Sequence, residues 1–252
     1  MRRAVSPLVL IILAAGGGPA AAGQTACWFE NGAVVAPAAI GGLAGDYVID
    51  LSAPRTLLHV DVAQGQAYAD GAALPVRLAG QTVEAAPVTV RSLDYRAVGF
   101  STPILGVIGA DILDRYVTTL DFSPCRLRLD PVGTTRGPPR GAIPVTLVGG
   151  VPTIAAAASD GVTGALGPFA LDTASNGGVR ARGAADGPRQ TPAGTLRALS
   201  LNGALRENLP VVVAGDLPKG VVGALGVQVL AAYRLRLDPK ALRLWLTPVP
   251  AP

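Results

Sequence analysis

Residues 106–129 (GVIGADILDRYVTTLDFSPCRLRL) align without gaps with residues 223–246 (GALGVQVLAAYRLRLDPKALRLWL) at an offset of 117. Nine of the 24 aligned positions are identical, among them Gly106/Gly223, Gly109/Gly226, Tyr116/Tyr233, Asp121/Asp238 and Leu127/Leu244. Solenoid repeats are far shorter, so a period this long implies two duplicated lobes. Each copy follows one local plan. An apolar segment enters a glycine, and a short helix is expected over 110–115 and 227–232. A two-stranded hairpin then follows, pairing 118–121 with 126–129 and 233–238 with 241–246. Asp121 and Asp238 fall where the chain turns, and their side chains are expected to accept turn hydrogen bonds.

Half of the residues are apolar, 32 are Gly and 22 are Pro, and only 15% are charged. Short apolar runs between Gly, Pro, Asn and Asp clusters, with alternation at 74–78, 83–90, 196–201 and 209–213, predict an all-β chain. The lobes are placed at 23–133 and 141–252, joined by a Gly/Pro/Thr-rich linker at 134–140. The basic residues are almost all scattered arginines with no dense run beside aromatics. This excludes a nucleic-acid-binding reading.

Residues 1–22 read as an export signal: Arg2 and Arg3, an apolar stretch from Leu8 to Ala15, then Ala20-Ala21-Ala22 as a small-residue cleavage site. Removing them lowers the formal net charge from +4 to +2, since Arg2 and Arg3 carry two of the charges. The apolar stretch is too short for a comfortable membrane span. A periplasmic or secreted protein without a stable membrane anchor is expected. In that oxidising setting the two cysteines, Cys27 and Cys125, are expected to form a disulfide.

Each lobe also has a matched aspartate upstream of its glycine. The first reads Val48-Ile49-Asp50-Leu51-Ser52-Ala53, and the second reads Ala170-Leu171-Asp172-Thr173-Ala174-Ser175. Other chemistries lack their residues. A single histidine, His59, rules out multi-histidine metal sites, and it sits in an apolar strand without a GxSxG elbow. No phosphate-binding glycine loop is present. No metal and no cofactor is expected. Two carboxyls brought together on a pseudo-two-fold axis share a proton. The ionised member can then activate water while the protonated member hydrogen-bonds a substrate carbonyl.

The pairing of these aspartate motifs with Val107-Ile108-Gly109 and Ala224-Leu225-Gly226 resembles the aspartic peptidases of the retropepsin and pepsin type. The resemblance spans most of residues 30–248. It implies two pseudo-symmetric β-barrel lobes with a short helix in each, catalytic Asp50 and Asp172, and a hydrophobic-Gly element at Gly109 and Gly226. Thr173 would brace the two loops across the axis, with Ser52, Ala174 and Ser175 completing them. Hairpins around 68–78 and 195–205 would include a substrate-covering flap. The family pattern is broken at Leu51 and Ser52, where a hydroxyl residue and a glycine are usual. The implied activity is a monomeric, exported aspartic endopeptidase acting on peptides or unfolded proteins. The broken first loop supports an alternative, an inactive pseudo-peptidase that binds extended peptides between its lobes. A third reading is a β-rich envelope protein without such a site, and it predicts that the two aspartates lie far apart.

Overall fold

The computed structural model describes residues 23–94, 99–133, 138, 140–182, 191–214 and 217–249. The expected export signal and almost all of the linker lie outside the described residues. The first half contains β1 (Gly23–Ala26), β2 (Trp28–Glu30), β3 (Ala33–Ile40), β4 (Leu43–Ile49), β5 (Leu57–His59), helix α1 (Val60–Gly65), β6 (Ala72–Leu78), β7 (Gln81–Arg91), β8 (Ile104–Ile108), helix α2 (Ala110–Leu113), β9 (Tyr116–Phe122) and β10 (Cys125–Pro131). The second half contains β11 (Ile143–Pro144), β12 (Thr146–Val148), β13 (Val151–Ser159), β14 (Gly164–Leu171), β15 (Val179–Arg182), β16 (Thr191–Leu201), β17 (Ala204–Ala214), β18 (Gly223–Leu225), helix α3 (Val227–Leu230), β19 (Tyr233–Asp238) and β20 (Arg243–Pro248).

The two halves have the same topology. In the first, strands run in the order β3-β4-β8-β5-β7-β6, and β6 pairs back onto β3 to close a six-stranded barrel, with β2 appended to β3. In the second, the ring is β13-β14-β18-β15-β17-β16, closed by β13 on β16, with β12 appended. Closure removes the exposed edges that an open sheet of this size would present. The chain is therefore all-β with two barrel lobes, and each carries the short helix expected after its glycine.

A third sheet joins the lobes in the palindromic order β1-β10-β9-β19-β20-β11. At its centre, Thr119 on β9 pairs with Arg236 on β19, flanked by Leu120↔Leu235 and Thr118↔Leu237. Thr119 and Arg236 are equivalent positions in the duplicated sequence, 117 residues apart. The pseudo-two-fold axis therefore passes through this pair. One apolar core, including Ile49, Leu51, Leu120, Leu171 and Leu237, runs through both barrels and this sheet.

The symmetry extends to single bonds. Cys27 N–H donates to Cys125 O at 3.2 Å, and Val145 N–H donates to Leu242 O at 3.0 Å in the other lobe. The disulfide Cys27–Cys125 closes the first of these positions, whereas Val145 and Leu242 leave the second uncrosslinked.

Two expectations need correction. Asp238 accepts a turn hydrogen bond from Ala241 N–H at 2.9 Å, but Asp121 forms an ion pair with Arg234 across the β9–β19 contact instead. An arginine on the facing strand outcompetes the local turn there. The segments read as hairpins at 68–78 and 195–205 do contribute to β6–β7 and β16–β17. Their strands, however, complete the barrels by pairing with β3 and β13. The first tip, Ala79-Gly80, packs against Gly23 at the central sheet, so it is no flap.

Candidate active site

Asp50 and Asp172 each follow the last residue of a strand that pairs in parallel with the strand leading to the glycine: β4 with β8, and β14 with β18. Asp50 N–H extends the first ladder to Ile108 O at 3.0 Å, and Asp172 N–H extends the second to Leu225 O at 2.9 Å. These identical bonds fix the register, so Asp50 is the positional counterpart of Asp172. Asp46 pairs inside the β3–β4 ladder, and Asp61 lies in α1.

The glycines explain how the loops close. Beyond Gly109, Ala110 N–H bonds Ala53 O at 2.8 Å, and beyond Gly226, Val227 N–H bonds Ser175 O at 3.0 Å. A Cβ on Gly109 would lie 2.6 Å from the Arg55 carbonyl, and one on Gly226 only 2.0 Å from Gly177 O. Each glycine lets the chain press against the back of its aspartate loop.

Each carboxylate caps its own loop. Asp50 Oδ1 accepts from Ser52 N–H at 2.8 Å and from Ser52 Oγ–H at 2.7 Å, and Asp172 Oδ1 accepts from Ala174 N–H at 3.0 Å. The loops are then stitched together across the axis. Thr173 Oγ donates to Ile49 O at 2.6 Å and accepts from Leu51 N–H at 3.1 Å, while Thr173 O accepts from Val34 N–H at 2.9 Å. Leu51, the residue equivalent to Thr173, has no hydroxyl to offer and is buried in the apolar core. The turns at the barrel rims also cross over. Gly32 sits so close to Asn176 that a Cβ would lie 1.9 Å from it, and Gly150 faces Pro54 in the mirrored position.

A further residue enters the site that sequence reasoning did not single out. Arg180 on β15 is 2% exposed, and its Nε lies 2.8 Å from Asp172 Oδ2, an ion pair without straight hydrogen-bond geometry. Its Nη2 donates to Ser52 Oγ at 3.1 Å. A continuous polar chain therefore runs Asp172–Arg180–Ser52–Asp50 from the second lobe into the first. Asp50, Ser52, Asp172 and Thr173 are all at most 4% exposed. The place of Arg180 is recognisable only from the folded register. By strand register it occupies the position of Leu57 in the first lobe, because Leu57 pairs with Val107 and Arg180 with the equivalent Ala224. A cation at an inward-facing, otherwise apolar position must find carboxylates.

Of two cavities, about 320 and 290 Å³, the first lies away from this site and the second has Arg180 in its lining. One is beside β1 and the Ala79-Gly80 turn, the other at the second barrel's mouth near Phe169 and Leu196, and neither is lined by Asp50 or Asp172. His59 caps α1, with Nδ1 accepting from Asp61 N–H at 3.2 Å and Nε2 facing Asp94 at 3.0 Å. Hydrogen bonds from Ser92 and then His59 hold the Asp94 carboxyl below its ordinary range. Among the described residues, no three His, Cys, Asp or Glu side chains gather as a metal site requires. No described helix is long and apolar enough to cross a membrane.

No protein-family model matches the sequence, and no curated protein matches it. Among solved structures, an aspartic proteinase from Irpex lacteus has a similar fold. The TM-score is 0.54 at 12% identity, covering 91% of this chain and 98% of that one. At that identity the likeness establishes the aspartic-proteinase fold.

Proposed function

We propose that this chain is an exported, peptide-binding protein of aspartic-peptidase architecture whose two-aspartate centre is closed by Arg180 and does not hydrolyse peptide bonds. The ion pair between Arg180 and Asp172, continued through Ser52 to Asp50, carries this reading. A working dyad holds one proton between two carboxyls. Two carboxylates with a guanidinium carry the same single negative charge, so Arg180 takes the electrostatic place of that proton. Asp172 is then the direct counter-ion of a buried arginine, and Asp50 is linked to that arginine through Ser52. The Cys27–Cys125 bond supports an oxidising compartment.

The equivalent placement of Asp50 and Asp172 and the Thr173 brace favour a second reading, an exported aspartic endopeptidase using that dyad. Incubating the purified protein with unfolded polypeptide from about pH 3 to pH 7 separates the two. Cleavage that disappears in Asp172→Asn establishes the endopeptidase. No cleavage, with saturable binding of a labelled extended peptide, establishes the binding protein, and absence of binding as well removes both.

A further inference from the structure

We propose that the Asp50/Asp172 pair is a masked hydrolytic centre, and that Arg180 keeps it silent. This inference rests on the non-hydrolytic reading above and goes beyond it by stating why hydrolysis is absent. Every backbone element that positions the two carboxyls is in place. The ladder bonds to Ile108 and Leu225, the glycine contacts beneath both loops and the Thr173 bridge all hold the two loops in matched positions. Two side chains depart from that frame: Leu51, which lacks the bridging hydroxyl of Thr173, and Arg180 on β15, set where the first lobe has Leu57.

Replacing Arg180 with an apolar residue removes the guanidinium from this polar chain. The two buried carboxyls can then become a stable pair by sharing a proton. In that state the ionised carboxylate takes a proton from water, and the hydroxide formed bonds to the peptide carbonyl carbon. The protonated carboxyl gives its proton to the carbonyl oxygen. As the tetrahedral intermediate collapses, one of its hydroxyls returns a proton to the pair, the C–N bond breaks and the other carboxyl protonates the departing amine, so the pair ends with the single proton it began with. Water is the sole co-reactant.

The test compares wild type, Arg180→Leu, Arg180→Met and the double variant Asp172→Asn/Arg180→Leu on an unfolded, fluorescently labelled polypeptide between about pH 3 and pH 7. The Met variant retains a long flexible chain in case Leu packs poorly. The expected result is cleavage by Arg180→Leu or Arg180→Met at least about tenfold above wild type, strongest at acid pH and lost in the double variant. Folded single variants that cleave no faster than wild type overturn the proposal. So does failure of both to fold even near pH 4, because the carboxyl pair would then be unable to exist without the guanidinium. Cleavage by wild type alone refutes the non-hydrolytic reading. Cleavage by wild type that rises about tenfold on removing Arg180 refutes that reading but leaves the masking intact.

Discussion

Asp172→Asn distinguishes an ion-paired centre from a bare dyad by the sign of its effect on stability. Asparagine keeps the size of the side chain and an oxygen that can accept from Ala174 N–H, now 3.0 Å from Oδ1. What disappears is the negative charge 2.8 Å from Arg180 Nε, at a site where both side chains are almost fully buried. Charges about 4 Å apart attract by about 4 kcal/mol at the effective dielectric that describes protein sites. Removing one partner of a buried pair typically costs about 3–5 kcal/mol. Asp50, connected through Ser52, remains to compensate part of the arginine's charge, so the lower end of that range, about 3 kcal/mol, applies. For a folded chain of this size that corresponds to a fall in Tm of about 6–12 °C. Thermal unfolding followed by circular dichroism at pH 7 measures it directly. In a bare pair of carboxyls, the same substitution relieves like-charge repulsion and leaves Tm unchanged or higher. A Tm equal to or above wild type therefore refutes the ion-paired reading. Adding Arg180→Met should lower stability by less than the sum of the single effects, because the two side chains are coupled.

Other substitutions probe the rest of the frame. Thr173→Val removes the hydroxyl that serves Ile49 O and Leu51 N–H, stranding two buried backbone groups. Urea denaturation should show a loss of about 2–4 kcal/mol, whereas Thr173→Ser should stay within about 1 kcal/mol of wild type. Reducing Cys27–Cys125, which spans 98 residues, should destabilise the chain by about 2–4 kcal/mol, with the second lobe lacking any such crosslink. Burial, followed by the neighbouring Asp111 charge, pushes the Asp114 carboxyl up to about 6. With its folded value above its unfolded one, this group opposes folding as pH rises from about 4 to about 6, and the penalty is complete above that. Asp114→Asn should therefore raise Tm at pH 7 and leave it unchanged at pH 4. A gain of about 1–2 kcal/mol is expected once partial solvent screening is allowed for.

The sequence by itself determined the duplication and most of what each copy builds. The helices after Gly109 and Gly226, the β9–β10 and β19–β20 hairpins and the aspartate at each strand end depend on strand alternation, turn residues and glycine. Those are local properties, and they read the same way in both copies. The partnership of Cys27 with Cys125 was legible too, because the chain's two cysteines leave one intramolecular pairing. Only the tertiary structure decided what meets across the axis. Asp121 was assigned to a turn from its neighbours in sequence, yet Arg234 reaches it because β9 and β19 pair between the lobes. The β6–β7 hairpin became a barrel wall because β3 offers its free edge to β6. Arg180 shows the difference most sharply. Along the chain it is one arginine among many in a Val-Arg-Ala-Arg strand, and its partners come from the aspartate loops of both lobes. Burial forces that charge onto Asp172 and, through Ser52, toward Asp50. Whether the duplicated aspartates form a dyad or a salt-bridged lock is therefore set by long-range packing, which no local pattern encodes.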